Sequence, residues 1–262
     1  MSRHRTNESA EKLDKENRRC CDEMKLESLV TMATGVAHDF NNYLTAILGN
    51  NEIILDNLPR DSRLRLNAEQ IEATSRMALA LTNEILLYTA RARRNPTLVD
   101  TAVVVAEVRD ELRLIPGENV SVDCSIEPTC PVKADIAQIR RVVHNLASNA
   151  SDALVDIPEG RIVLATGTRT CTRNQLRATF LGTGLLPGRY AFVEIRDNGK
   201  GMSADVRKRM YDPFFSTKLR GRGMGLPVVV GILRAHGGTI SARTERFGET
   251  RVRVLLPCAD EA

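Results

Sequence analysis

The chain has 262 residues, of which 42% are hydrophobic and 27% charged, a balance suited to one large or two modest globular domains with a sizeable core. Its formal net charge of +4 is mild and its aromatic content is 4% with no Trp, so nothing in the composition asks for nucleic-acid binding. Six cysteines at 20, 21, 124, 130, 171 and 258 show neither metal-ligand spacing nor the density of a disulfide scaffold, and Cys20 and Cys21 read as reduced thiols on an N-terminal arm. The longest apolar runs, such as Leu226 to Leu233, are too short to cross a membrane, and no apolar signal segment opens the chain. The expectation is a cytoplasmic, reducing location.

In chain order, residues 1–24 are a charged arm nearly devoid of large apolar residues. Residues 25–57 carry an amphipathic helix: Leu29, Ala33, Ala37, Phe40, Leu44, Ile47 and Leu48 form an apolar stripe at helical spacing. Thr31, His38, Asn42 and Thr45 fall on another, mostly polar face, which displays His38 beside Asp39 with Asn42 one turn later. A turn over Asn57 to Ser62 follows, with Asp61 or Ser62 placed to cap the next helix. Leu64, Ala68, Ile71, Ser75, Ala78, Ile85 and Tyr88 make a second stripe that runs to about Arg93, where basic residues and Pro96 stop it. Such a helical hairpin, residues 25–95, cannot bury both its stripes alone. Pairing with a second copy into a four-helix bundle is the economical solution, so a homodimer is expected.

Residues 96–262 read as mixed α/β. Val103 to Leu114, Ile136 to Val155 and Leu226 to Ala235 are helical, while Val120 to Ile126, Ile162 to Thr166 and Tyr190 to Arg196 are strands. Thr239 to Ala242 and Arg251 to Leu256 close as a hairpin around Phe247-Gly248. Helices alternating with antiparallel-looking strands indicate an α+β sandwich with its helices on one face.

Four short motifs in this half carry chemistry. In NLASNASDAL, Asn145, Asn149 and Asp152 recur along one helix edge, and amide oxygens there can hold a hard cation such as Mg²⁺ that takes phosphate oxygens as further ligands. In DNGKGM, Asp197 at a strand end is followed by Gly199 and Gly201, which lets the backbone approach a flat ligand while the carboxylate accepts a hydrogen bond, as from an adenine amine. YDPFFSTK brings Lys218, able to reach a phosphate. GRGMGL offers Gly221, Gly223 and Gly225 as a phosphate-approaching loop ahead of a helix whose first turn suits Pro227 and faces anions. The same helix ends at His236-Gly237-Gly238, a glycine cap that makes His236 structural. Each motif alone is weak, and each has a bland reading as surface Asn or a tight turn. Their joint occurrence in this order is specific.

On these residues the sequence resembles the sensor histidine kinases of two-component signalling, over residues 25–257. HDFNN at 38–42 looks like the phospho-acceptor box, NLASNASDAL the asparagine box, DNGKGM and GRGMGL two glycine boxes, and DPFFSTK the phenylalanine-containing box between them. The nearest likeness is to the nitrogen-regulation-like and hybrid-kinase branch. The resemblance implies a dimeric hairpin followed by a GHKL-type ATP-binding domain, with ATP and Mg²⁺ as cofactors and a response regulator as partner. It implies that His38 accepts the phosphoryl group, that Asp39 orients or deprotonates its imidazole, and that Asn42 positions a water that hydrolyses the partner's phospho-aspartate. Asn149 would ligate Mg²⁺ with Asn145 and Asp152 close by, and Asp197 would read adenine beside Gly199 and Gly201. Lys218, Arg222, Gly223, Gly225 and Leu226 would lie along a lid over the phosphates.

Pro227 departs from the family, where a glycine often stands. No sensor domain precedes residue 25 and no receiver follows residue 257, so signal input and the acceptor aspartate are expected on other chains, or the sequence is part of a longer protein. Two other readings remain open at this stage: an ATPase clamp related to gyrase and Hsp90, which needs no acceptor histidine, and a non-catalytic dimeric phosphotransfer scaffold.

Overall fold

A computed structural model describes residues 35–37, 39–89, 94–113, 120–218, 223–244 and 248–259. The charged arm, His38, Arg222, Cys20, Cys21 and Phe247 lie outside the described residues. The chain divides into two compact units, Met1–Thr89 and Ala90–Ala262.

The first unit is an antiparallel helical hairpin. Helix α1 covers residues 39–57, and α2 covers Leu64–Tyr88. The turn between them closes through the Ser62 amide on the Pro59 carbonyl, and the Ser62 hydroxyl accepts from the Leu64 amide, although Arg63 rather than Ser62 holds the cap position. At the far end α2 stops at Tyr88, five residues short of the sequence expectation. Thr89 caps it by donating its amide to Ile85 and its hydroxyl to Leu86.

Two seams run along this hairpin at heptad spacing. Ala37, Leu44 and Asn51 on the first helical segment, and Ala68, Ser75 and Thr82 on α2, are buried within the single chain. The Asn51 amide donates to the Ala68 carbonyl at 2.9 Å and so pins the register of the two helices. Phe40, Ile47 and Ile54, with Leu64 and Ile71 on α2, form the other seam and are 45% exposed or more. Sequence periodicity assigns Phe40 and Leu44 to one stripe. The fold separates them: one heptad-spaced set packs within the chain and the other stays exposed.

The second unit is a five-stranded sheet in the order β2-β4-β5-β7-β6, built from Val120–Ile126, Gly160–Cys171, Gly188–Asp197, Thr250–Pro257 and Thr239–Thr244. Helices α3 (Thr101–Arg113), α4 (Ile136–Ala153) and α7 (Gly225–Ala235) supply its helical layer. Alternate strand residues Ile162, Leu164, Val193, Ile195, Ile240 and Val254 form the core with Val104, Val108, Ile139, Val142, Val143, Val229, Ile232 and Leu233 from the helices. The sandwich is as the pattern predicts, with one correction. β2 pairs parallel to β4, whereas the other neighbours are antiparallel. A helix-containing crossover through α4 separates β2 from β4 in sequence, and that geometry returns the chain in the same direction.

Five short elements carry no readable periodicity. Strands β1 (Thr97–Val99) and β3 (Val132–Ala134) pair antiparallel as a separate ribbon. Helix α5 (Arg173–Arg177), set by a capping box between Thr172 and Gln175, and a 3-10 turn at Gly182–Gly184 lie between β4 and β5. Helix α6 spans Ala204–Arg209 behind its cap Ser203.

Cys130 and Cys258, 128 residues apart, form a disulfide with their Cα atoms 5.5 Å apart. The sequence reading assigns no pairing to these two cysteines: the bond follows from where the chain before β3 and the end of β7 meet, which spacing cannot show. Reduction is expected to lower the unfolding free energy of the second unit by about 2–4 kcal/mol, because the bond closes a long loop of the unfolded chain. Thermal unfolding with and without dithiothreitol reads this directly, and an unchanged midpoint would contradict it. No helix among the described residues is long and apolar enough to cross a membrane.

Candidate functional site

The site is built at one end of the second unit. Asp135 caps α4 by accepting from the Ala137 and Gln138 amides, which starts the helix and sets which residues face the core. Val142, Val143 and Leu146 are buried as expected, leaving Asn145, Asn149 and Asp152 half-buried on one edge. The Asn145 amide donates to the Gly225 carbonyl at 3.2 Å, which ties α4 to the first turn of α7. The Lys218 ammonium donates to Asn149 Oδ1 at 3.0 Å and also contacts Asp152 Oδ2. An ammonium gripped by an amide oxygen and a carboxylate oxygen is a stand-in cation, so this edge is shaped for positive charge. Among the described residues no group of three or more His, Cys, Asp or Glu side chains could hold a metal ion.

At the end of β5, Asp197 is only 6% exposed. Burial drives its carboxyl pKa up to about 6, helped by the charge of Glu249 and opposed by the Gly199 amide, which donates to Asp197 Oδ1 at 3.0 Å. Gly199 is required here on steric grounds, since a Cβ would stand 2.5 Å from the Ala153 carbonyl oxygen. The next amide, Lys200, donates to that same carbonyl at 3.2 Å, so the turn lies flush against the last turn of α4. Gly201 adopts φ +63°. The Met202 amide then donates to Thr244 Oγ1, whose hydroxyl lies 2.9 Å from that of Thr250.

Thr250 is the residue the motif analysis misses. It is buried and sits opposite Asp197 in the β5–β7 register, so an acid and a hydroxyl face the same space from neighbouring strands. It lies in no glycine box and has no signal of its own; only the strand pairing brings it there.

The Phe214 amide donates to the Gly223 carbonyl at 3.1 Å. Gly223 has φ +67°, and a Cβ on it would lie 2.5 Å from the Phe214 carbonyl carbon. Phe214 itself has φ +64°, an uncommon backbone for an aromatic residue. Helix α7 starts at Gly225 with Leu226 half-buried and Pro227 buried in its first turn, and no side chain caps it. Its leading amides therefore face outward beside Asn145, in the arrangement that receives anions at a helix start. The structure thus brings together Asn145, Asn149, Asp152, Lys218, Gly223, Gly225 and Leu226, with Asp197, Gly199 and Gly201 at the other side of the α4 C-terminal turn. Asp39 and Asn42 belong to the other unit, exposed on the hairpin.

Comparison with known proteins agrees with both halves. Residues 28–92 match the His Kinase A (phospho-acceptor) domain, and residues 134–260 match the histidine kinase-, DNA gyrase B-, and HSP90-like ATPase domain. The chain belongs to the sensor histidine kinases. It is 32% identical over 237 residues to the sensor kinase CckA of Brucella abortus, covering 89% of this chain and 24% of that protein. It is 28% identical over 250 residues to the sensory histidine kinase/phosphatase NtrB of Rhizobium leguminosarum, covering 95% of this chain and 63% of that one. The chain therefore spans less than two thirds of the length of either histidine kinase relative. Among solved structures, full-length ShkA in complex with AMPPNP shares the fold at a TM-score of 0.61 and 19% identity, over 88% of this chain and 46% of that one.

Proposed function

We propose that this histidine kinase chain binds ATP with Mg²⁺, autophosphorylates on His38 and passes the phosphoryl group to an aspartate of a separate response regulator. The observation that carries the reading is the cation-holding edge of Asn149 and Asp152 lying one helical turn from the Ala153 carbonyl against which the buried Asp197 turn packs. Asp197 and Thr250 would take the adenine, and Asn149 would hold Mg²⁺, whose remaining ligands are water and phosphate oxygens. The metal would neutralise charge on the transferring group. Lys218, Gly223, Gly225 and Leu226, with Arg222, would line the phosphates.

One imidazole nitrogen of His38 attacks the γ-phosphorus, and the bond to the β-phosphate oxygen breaks to release ADP. The other nitrogen donates its N–H to the Asp39 carboxylate, which takes that proton as the N–P bond forms. Asn42, one turn on, would position the water that removes the phosphoryl group from the regulator's aspartate, the second activity in the name of the NtrB relative. With γ-labelled ATP and Mg²⁺ the protein should acquire an acid-labile, alkali-stable label that His38→Gln abolishes. Equal labelling of that variant would overturn the assignment, and steady ATP turnover with no phosphoprotein would mark an ATPase clamp instead.

The open seam of Phe40, Ile47, Ile54, Leu64 and Ile71 supports a homodimer through the hairpin, because a second copy completes the heptad packing that one chain leaves half done. Ile47→Glu places two carboxylates in that seam and should weaken dimerisation by about 100-fold or more. Sedimentation of wild type and variant tests this; a monomeric wild type, or an Ile47→Glu protein that still dimerises normally, contradicts it.

A further inference from the structure

The chain enters the second unit at Arg94 to Val99, and three contacts fasten that entry. Arg94 Nη1 donates to the Ala235 carbonyl at the end of α7. The Asn95 amide donates to Asp135 Oδ2 at 2.8 Å, while the other oxygen of Asp135 caps α4. The Asp135 amide donates to His236 Nε2 at 3.1 Å, which leaves the hydrogen on Nδ1 to donate to the Ile232 carbonyl at 2.8 Å. Downstream, Asp100 Oδ1 accepts from the Thr129 hydroxyl and from the amides of Ala102 and Thr129. Strand β1 itself contributes little packing, for Thr97 and Leu98 are exposed and only Val99 is buried. A cleft of about 500 Å³ lined by Arg94, Pro96, Lys133, Ala235 and His236 borders the clamp. Hydrogen bonds, more than core packing, therefore hold the start of this segment.

The same two helices are tied again farther along, at the middle of α4 and the start of α7. α4 and α7 pack against each other. From Asp135 to Asn145 the chain rises about 15 Å along α4, and from Gly225 to His236 about 16 Å along α7. Asn145 bonds Gly225 at one end and Asp135 bonds His236 at the other. The first half of α4 and the whole of α7 thus run antiparallel over similar lengths and are joined by two rungs. One rung belongs to the nucleotide site and the other grips the incoming chain. A ligand that draws in Asn145 or Gly225 loads both helices, and packed helices transmit such shifts without absorbing them.

We propose that Asp135 and His236 are positioning residues that couple nucleotide occupancy to the anchorage of Arg94–Val99, the segment joining the nucleotide unit to the phospho-acceptor hairpin. This rests on the kinase reading above and adds to it a route by which the nucleotide site and the linker sense each other. His236 is thus more than a helix cap.

The test is amide hydrogen exchange over residues 94–99 in the full chain, with and without Mg·AMPPNP. Wild type should exchange about fivefold more slowly with nucleotide bound, and His236→Ala should lose that protection. His236→Gln, whose amide oxygen can accept the Asp135 N–H, should restore it. Nucleotide affinity should stay within about twofold in both variants, while His236→Ala lowers the kcat of autophosphorylation roughly tenfold at unchanged KM for ATP. If thermal unfolding shows His236→Ala to be misfolded, Asp135→Ser serves instead: it keeps one oxygen for α4, removes the one that accepts from Asn95, and should show the same loss. Bound AMPPNP with no protection of residues 94–99 in wild type, or protection that survives in the Ala variant, overturns the coupling alone. Failure to bind AMPPNP overturns the kinase reading with it.

Discussion

Asp197→Asn should abolish nucleotide binding while making the protein more stable at neutral pH. The carboxyl is buried at the end of β5, and its pKa in the folded state stands near 6 against an ordinary value of 3.8. Below about pH 3 the acid is neutral in both folded and unfolded chains, and burying it brings no charge penalty. As pH rises through 6 the folded state must carry a buried anion, so the stability present at low pH is lost over that window. Asparagine keeps an oxygen for the Gly199 amide and never ionises. The variant should therefore gain on the order of 2–3 kcal/mol over wild type at pH 8, a gain that shrinks through pH 6–4 and vanishes below about pH 3.

Its cost is functional. An amide nitrogen replaces the second carboxylate oxygen, so a donor meets the adenine amine where an acceptor stood, and affinity for AMPPNP should fall by about 100-fold or more. Wild-type affinity should itself weaken as pH drops through 6, since a hydrogen-bond donor prefers the ionised carboxylate. Paired melting curves and calorimetric titrations across pH 4–8 decide the matter. A variant that binds like wild type, or whose stability follows the wild-type pH profile, refutes the role given to Asp197.

Asn149→Ala should lower autophosphorylation by about 1,000-fold, the scale expected when a site loses the group that seats its metal ion. The adenine end of the site is untouched by this change, so metal-free AMPPNP should bind nearly as before. What should disappear is the gain in affinity that Mg²⁺ confers. Lys218→Met is the discriminating control. It removes the ammonium that Asn149 and Asp152 hold but leaves their oxygens in place, so the dependence on Mg²⁺ should persist. The surface ion pair itself contributes little to folding, which keeps stability from confusing the result. Should Asn149→Ala retain full Mg²⁺ dependence, the metal is held elsewhere.

Local pattern and long-range pairing contributed differently to these conclusions. The three long helices of the second unit and the motifs on α4, β5 and α7 were legible because each depends on residues a few positions apart: a 3.6-residue stripe places Val142, Val143 and Leu146 inward and so leaves Asn145, Asn149 and Asp152 on an edge. Strands β1 and β3, three residues each, are too short for periodicity to register, and α5 and α6 barely exceed one turn. The two-sided stripe of the hairpin shows the limit plainly. Sequence spacing marks Phe40 and Leu44 alike as apolar, and only packing tells which one the chain buries itself and which one it leaves for a neighbour.

Taken alone, then, the sequence determined the kinase family and the order of hairpin and sandwich, and it supplied the motif residues from which the proposed site is drawn, because helical periodicity, glycine turns and short motifs are properties of neighbouring residues. Tertiary structure alone decided that β2 runs parallel to β4, that Cys130 meets Cys258, that Thr250 faces the same space as Asp197, and that His236 ties to Asp135 across the start of α4. Each of these joins residues far apart in the chain. Their meeting depends on strand register and helix packing, which no local pattern encodes.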